Sequence, residues 1–102
     1  MIRHCVFVKF RADVPEVERQ AIYGQLDALQ AVLPGIVEAS FGRNVSPEGL
    51  GKGFDDGFVI DFVDADARDA YLVHPDHQAA GGRLVAAVQG GVDGLVVFDL
   101  DV

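Results

Sequence analysis

Two histidines and a tyrosine lie close together in the second half of the chain, where Tyr71, His74 and His77 surround Pro75. Imidazole and phenol groups are among the side chains that transfer protons in enzymes. If Pro75 occupies the first turn of a helix, His77 lies in the same turn, where unpaired amides and the helix dipole disfavour an imidazolium. We therefore predict that His77 is a general base and that Tyr71 donates a hydrogen bond to a substrate carbonyl.

Two other interpretations of this run stay open. In the first, His74 is a helix cap and His77 bonds to the backbone, so that the histidines only stabilise a helix junction. In the second, the histidines bind a metal ion, which needs a third and usually a fourth ligand. The order His, Pro, Asp, His at residues 74–77 is not an established metal-binding spacing. We predict neither a metal nor a cofactor.

Two further polar side chains alternate with apolar ones. His4 shares a strand face with Val6, and Asp99 shares one with Val97. An imidazole on an apolar face needs a polar partner, and Asp99 is suited to orient one of the histidines. Beside Tyr71 and His77, the predicted pocket for a small apolar or aromatic ligand is lined by His4, Val6, Phe58, Leu95, Val97 and Asp99.

The alternation of element types predicts how these residues are positioned. Patterns with a period of two residues predict strands at residues 2–11, 36–45, 58–63 and 95–102. Helical spacing, acids and prolines predict helices at about residues 15–33, 65–73 and 75–89. Asp13 and Asp64 are the predicted caps of the first two helices, and Val37 is expected on the same strand face as Ala39 and Phe41. The order βαββαβ predicts an α+β, ferredoxin-like fold with a four-stranded antiparallel sheet in one domain, residues 1–102.

The chain has more apolar residues than one layer of helices can cover. In this fold the helices pack on one face of the sheet, so the other face of a monomer should be polar. Several large apolar side chains nevertheless remain for that face: Phe7, Val59, Val96, Phe98 and Leu100. A patch of this size is large for a monomer, so we predict a homodimer that packs sheet face to sheet face.

Charge and cysteine content exclude several classes of partner. The net charge of −8 repels phosphate backbones and anionic headgroups, so we expect neither nucleic acid nor membrane partners. No apolar stretch is long enough to span a bilayer, and the first one lacks the features of a signal peptide. Cys5 is the only cysteine, so no internal disulfide forms, and we expect a cytoplasmic protein with an inert thiol.

The remaining polar segments carry no predicted chemistry. The Gly-rich run at residues 49–53 joins two strands instead of opening a helix, so it is predicted to be a flexible loop and not a phosphate site. Lys52 in this loop has no assigned partner. The aspartate clusters lack calcium-loop spacing and are expected to be solvated. Tyr23 is predicted to be a core tyrosine with a hydrogen-bonded hydroxyl.

Several segments together resemble one known family, the stress responsive A/B barrel (Dabb) family. The matching segments cover nearly the whole chain in order: residues 2–10, 44–49, 52–54, 71–77 and 96–99. The resemblance implies a ferredoxin-like subunit that dimerises through its sheet into an α/β barrel. This is the same arrangement that the distribution of apolar residues predicts.

The resemblance leaves two functions open, because function in this family is diverse. One member is a cofactor-free polyketide cyclase that uses a tyrosine and the second histidine of a His-Pro-x-His motif for an aldol closure. The matching residues here are Tyr71 and His77, with His4 and Asp99 at matching pocket positions. The related superfamily includes cofactor-free monooxygenases, whereas other family members resemble stress-protective oligomers without a known reaction. Asp56 stands where the cyclase has a histidine, so the pocket walls and the substrate are expected to differ.

Overall fold

Four strands form one antiparallel sheet in the computed structural model, which describes residues 1–102. The strands are β1 (Ile2–Val8), β2 (Ile36–Arg43), β3 (Asp56–Phe62) and β4 (Leu95–Asp101). Their order in the sheet is β2-β3-β1-β4, with β2 and β4 at the edges. One face, called the helix side below, is covered by α1 (Glu16–Asp27), α2 (Ala65–Val73) and α3 (Pro75–Ala87). The opposite side is called the open face. The predicted ferredoxin-like α+β fold is confirmed.

The first helix is shorter than predicted and is not capped by Asp13. It ends at Asp27 and continues as a 3-10 turn at Ala28–Ala31. The Asp13 carboxylate accepts a hydrogen bond from Nε of Arg11 at 3.0 Å, and the N-cap position is occupied by Pro15 without a side-chain bond. The prediction of an Asp13 cap is therefore wrong, because the N-cap position falls at Pro15, two residues after Asp13.

A β-bulge at the start of β2 overturns the predicted position of Val37. The register with β3 shifts between Ile36 and Glu38, and Val37 is exposed, whereas Ile36 packs against the core. A bulge adds one residue to a strand and so reverses the faces on which the preceding side chains lie. Ala39 and Phe41, which follow the bulge, pack against the core as predicted.

The second and third helices begin with side-chain caps. The Asp64 carboxylate accepts a hydrogen bond from the amide of Ala67 at 2.8 Å, which confirms the predicted cap of α2. Pro75 opens α3, and Nδ1 of His74 accepts a hydrogen bond from the amide of Asp76 at 3.1 Å. Because Pro75 lacks an amide hydrogen and restricts the residue before it, α2 cannot continue through this point, and the chain turns directly into α3.

Two aromatic clusters fill the space between the sheet and the helices. In one, the Tyr23 ring lies against Phe10, Phe41 and Phe58, with ring centroids 5.2–5.9 Å apart. The Tyr23 hydroxyl is buried without a partner, so the predicted hydrogen bond is not made. In the other cluster, Tyr71 packs against Phe62 with ring centroids 5.1 Å apart.

The open face of the sheet carries the apolar residues that the sequence assigns to it. Phe7 pairs with Val96, and Cys5 pairs with Phe98 across β1 and β4. Phe7, Val96, Phe98 and Leu100 are 38–56% exposed, and Val59 is half-buried. No helix covers this face in the single chain. None of the helices has the length and apolar character to cross a membrane.

Candidate functional site

The backbone at the junction of α2 and α3 determines which nitrogen of the His77 ring carries the proton. Its Nδ1 lies 3.2 Å from the carbonyl oxygen of Leu72. A carbonyl only accepts hydrogen bonds, so Nδ1 carries the proton and Nε2 keeps a free electron pair in the neutral ring. Burial lowers the pKa of His77 below its ordinary value, and the nearby His4 and His74 rings lower it further, although the Leu72 bond acts in the opposite direction. The neutral form with a basic Nε2 therefore prevails near pH 7.

Tyr71 lies directly against this imidazole. The centroids of the Tyr71 and His77 rings are 4.1 Å apart, and Tyr71 is fully buried. Burial raises the pKa of its hydroxyl, so the group stays protonated and is a hydrogen-bond donor. The hydroxyl has no hydrogen-bond partner in the protein. Leaving a buried donor without an acceptor costs about 1–3 kcal/mol.

A series of hydrogen-bonded side chains from β1, β4 and α2 ends beside the Tyr71 ring. Nδ1 of His4 lies 2.7 Å from Oδ1 of Asp99, and Nη1 of Arg68 donates to Oδ2 of Asp99 at 2.8 Å. Burial alone would raise the pKa of Asp99, but the bonds from Arg68 and His4 outweigh it and hold the pKa below its ordinary value. The ionised Asp99 therefore orients the buried His4 ring, which lies 5.8 Å from the Tyr71 ring. We refer to Tyr71, His77, His4, Asp99 and Arg68 together as the histidine cluster.

The structure brings together only part of the predicted pocket lining. Val6 is buried, Leu95 is half-buried beside the core, and Phe58 lies in the Tyr23 cluster and not beside Tyr71. Val97 is 60% exposed although it pairs with Val6 on the helix side. The helices therefore leave part of the helix side of β4 uncovered.

Two members of this region were missed by the sequence analysis. Phe62 packs against both Tyr71 and His4, and Arg68 bonds to Asp99. Both residues have recognisable signals. Phe62 alternates with Ile60 along β3, and Arg68 lies three residues before Tyr71, a spacing that places the two side chains near one face of a helix.

Two cavities lie away from the histidine cluster. The larger, about 650 Å³, lies on the open face beneath residues 44–54. The smaller, about 240 Å³, lies near the start of α1 and is mainly polar. Neither is lined by a member of the histidine cluster, so neither is the closed pocket predicted around His77. The Tyr71 and Phe62 rings pack into the space between α2 and the sheet. No group of three or more histidine, cysteine or acidic side chains is arranged to hold a metal ion.

Comparison with known proteins places this geometry in a family. The family described as the stress responsive A/B barrel domain (Dabb) matches residues 2–102. No curated protein matches the chain.

Solved structures with the same fold include proteins of known and unknown activity. A dimeric ferredoxin-like protein of unknown function from Jannaschia sp. CCS1 is 38% identical, with a TM-score of 0.93 over 99% of this chain and 98% of that one. The hydroxynitrile lyase from Passiflora edulis is 18% identical, with a TM-score of 0.86 over 99% of this chain and 92% of that one. A mutant form of SnoaB, a cofactor-independent oxygenase from Streptomyces nogalater, is 15% identical, with a TM-score of 0.75 over 99% of this chain and 91% of that one. At these identities the last two show a shared fold only.

Removal of the Asp99 carboxylate should destabilise the protein through His4. In Asp99→Ala the buried His4 loses its acceptor, and we expect the free energy of unfolding in urea to fall by about 1–3 kcal/mol. The control is Asp101→Ala, whose side chain is 89% exposed and should change stability by less than about 0.5 kcal/mol. Equal stability of the two variants would show that Asp99 does not hold His4.

The titration of His77 tests its protonation state directly. We expect nitrogen-15 NMR to find the neutral ring protonated at Nδ1, with a midpoint below 6.5 because burial disfavours the imidazolium. Because the pKa of His77 is lower in the folded protein than in the unfolded one, the unfolded chain binds the proton first, and the free energy of unfolding falls as the pH drops from the ordinary histidine pKa to the folded-state pKa. A ring protonated at Nε2, or a midpoint above 6.5, would contradict the assignment.

Proposed function

The chain belongs to the stress responsive A/B barrel domain family, and on that premise we propose that it is a homodimeric acid–base enzyme for a small carbonyl compound. The observation that carries this proposal is the pairing of an imidazole that has a free Nε2 with a buried tyrosine hydroxyl that has no partner. One group is suited to take a proton and the other to bind an oxygen on which negative charge develops.

The proposed reaction is an aldol or lyase step at a carbonyl. His77 Nε2 removes a proton from the carbon beside the carbonyl, and the electron pair moves onto the carbonyl oxygen to form an enolate. The Tyr71 hydroxyl donates a hydrogen bond to that oxygen. The enolate carbon then attacks the carbon of a second carbonyl to form a carbon–carbon bond, and the protonated His77 returns its proton to the alkoxide oxygen that this attack creates. The reverse sequence cleaves such a bond. No external oxidant or reductant is required for either direction.

The residues around this pair have supporting roles in the proposal. Asp99 and Arg68 hold the His4 ring in place beside Tyr71. Val97 and Leu95 offer an apolar approach along the uncovered helix side of β4, which suits an apolar or aromatic substrate. Tyr71 is fully buried in the single chain, so binding of a substrate oxygen to its hydroxyl requires the side chains around it to move.

The pairing of His77 with Tyr71 favours lyase chemistry without deciding the substrate. A hydroxynitrile lyase and a cofactor-independent oxygenase share this fold. A base beside a hydrogen-bond donor is what carbon–carbon bond cleavage next to an oxygen requires. We therefore rank a lyase or aldol reaction above oxygenation. A cytoplasmic location and a role in stress remain predictions.

A second candidate function, a non-catalytic homo-oligomer, is favoured by one set of contacts. His74 caps α3 and His77 bonds to the Leu72 carbonyl, so both histidines also stabilise the helix junction. In this alternative the stable dimer is the functional product, and the interior stays packed around Tyr71.

The homodimer is supported by the open face. Its apolar residues are exposed in the single chain, and the 38% identical Jannaschia protein is dimeric. Burial of apolar surface at about 25 cal/mol per Å² gives several kcal/mol from a patch of a few hundred Å². That gain is available only if another molecule covers the face, and a two-fold pair covers both copies at once.

Catalysis is tested by proton exchange, which needs no knowledge of the natural substrate. We expect the protein to accelerate deuterium exchange at the methyl group of acetophenone and cleavage of mandelonitrile, with His77→Gln lowering the rate by about 100-fold or more. Tyr71→Phe should lower it by about 10-fold to 100-fold through loss of the hydrogen bond to the oxygen. His74→Asn is the control, because asparagine also caps helices. No acceleration by the wild type, or an active His77→Gln variant, would favour the non-catalytic alternative.

Sedimentation tests the homodimer. We expect the wild type at micromolar concentration to sediment with twice the 10.9 kDa chain mass. Phe98→Asp puts a charge on the open face and should weaken the dimer by about 100-fold or more. Val17→Asp is the matched control, since Val17 is equally apolar but exposed on α1. A wild type that remains a single 10.9 kDa species would overturn the dimer.

A further inference from the structure

Two glycines, Gly81 and Gly82, lie in the middle of α3. Glycine in a helix interior is destabilising relative to alanine, because it loses more conformational freedom on folding. Neither glycine has a positive φ, so the backbone conformation does not require glycine at these positions. Any structural reason for glycine therefore lies in what surrounds the two positions.

The surroundings of the two glycines differ. A Cβ added at Gly82 meets no atom within 4 Å beyond the adjacent helix backbone, and the position is exposed. A Cβ added at Gly81 would lie 3.9 Å from Nε2 and 4.0 Å from Cε1 of His77, which is ordinary van der Waals contact. Packing within the chain therefore excludes alanine at neither position, but a side chain at position 81 would lie beside the proposed base.

Helix geometry directs a side chain at position 81 toward the His77 ring. The Cα–Cβ bonds of an α-helix lean toward its N-terminus, so the side chain of residue 81 covers residue 77, one turn earlier. A side chain longer than that of alanine would extend along the edge of the imidazole that carries Nε2 and Cε1. Glycine at position 81 leaves that edge of the ring free.

Two further observations indicate that a ligand uses this space. The Tyr71 hydroxyl is buried without a hydrogen-bond partner, and the Tyr71 ring lies against His77. Val97, two residues from Asp99 on the helix side of β4, is 60% exposed and is covered by no helix. This side of the sheet is opposite to the proposed dimer interface. A free base, a donor without an acceptor and uncovered apolar surface together are typical of a site for a small organic molecule.

We propose that Gly81 determines substrate specificity at the histidine cluster, and that the substrate carries a bulky apolar substituent, such as a phenyl ring, on the carbon that loses its proton. This inference rests on the proposed acid–base function and specifies its substrate class. Nε2 of His77 takes the proton from that carbon, and the electron pair moves onto the carbonyl oxygen. The substituent lies in the space beside Nε2 that glycine at position 81 leaves free. A substrate that loses its proton from a methyl group leaves this space empty.

The test is deuterium exchange into phenylacetone, a ketone with a benzylic methylene on one side of the carbonyl and a methyl group on the other. Proton NMR follows both positions in one sample, and the rates in buffer alone correct for their different acidity. We expect the wild type to accelerate exchange at the methylene at least about tenfold more than exchange at the methyl group. Gly81→Leu should lower the acceleration at the methylene about tenfold more than the acceleration at the methyl group, because leucine fills the space beside Nε2.

Gly82→Leu is the matched control, since it makes the same change at the adjacent, exposed position. Both leucine variants should raise the melting temperature by about 3–8 °C, because leucine is a better helix former than glycine. Gly82→Leu should keep the wild-type preference for the methylene. If Gly81→Leu does not fold, Gly81→Ala still decides the outcome, with the preference lowered by about threefold.

Chemical modification measures the space beside His77 without any catalysis. Diethyl pyrocarbonate acylates accessible, neutral imidazole nitrogens, and mass spectrometry of peptides assigns the product to each histidine. We expect modification of His77 to be severalfold slower in Gly81→Leu than in the wild type and in Gly82→Leu. Modification of His74 should be the same in all three proteins.

Three results would each overturn the role of Gly81. They are a wild type that exchanges the methyl group without preferring the methylene, a Gly81→Leu variant that keeps the wild-type preference, and an unchanged rate of His77 modification in that variant. The proposed function fails in a different way, because the wild type would then exchange neither position of phenylacetone. Failure of the substrate class and failure of the acid–base function are therefore distinguishable.

Discussion

A sheet that is apolar on both faces but covered on only one is the constraint from which the rest of this structure follows. β1 supplies buried Val6 and Val8 to the helix side and Phe7 to the open face, so neither face of the central strand is suited to water. Helices pack against the helix side of β1 and β3, but the chain has no element left for the other face. Association with a second copy, which the dimeric Jannaschia protein suggests, would cover that face.

The placement of the helices also makes the helix side chemically different at its two ends. Where α1 covers the sheet, the space is filled by the Tyr23 cluster, whose hydroxyl makes no hydrogen bond. Where α2 and α3 meet, polar groups enter the core and must be satisfied there, because burial without partners is costly. Asp99 does this for His4, and the Leu72 carbonyl does it for His77. The Tyr71 hydroxyl is left unsatisfied in the middle of this network, as is that of Tyr23 elsewhere, but Tyr71 lies against the His77 imidazole, and that juxtaposition is what suggests a ligand oxygen.

The open face is suited to the association of two copies, because its centre is apolar and exposed in the single chain. A cavity bounded by the sheet and by residues 44–54 is lined by Phe7, Val59 and Val96 of this apolar centre, so it belongs to the surface that a second copy would cover.

Local patterns in the sequence determined the element order, the α+β class, the Asp64 cap and the start of α3 at Pro75, because alternation and capping depend on residues only a few positions apart. They also indicated that Asp99 would bond to one of the histidines, but not that this histidine would be His4 instead of His77. That choice depends on the register between β1 and β4, which neighbouring residues do not encode. The Val37 error has the same origin, since a bulge is set by pairing with β3. Tertiary structure alone decided three features: the position of Phe58 away from Tyr71, the bond from Arg68 to Asp99, and the cavity beneath residues 44–54. Each of them depends on contacts between segments that are far apart in the sequence.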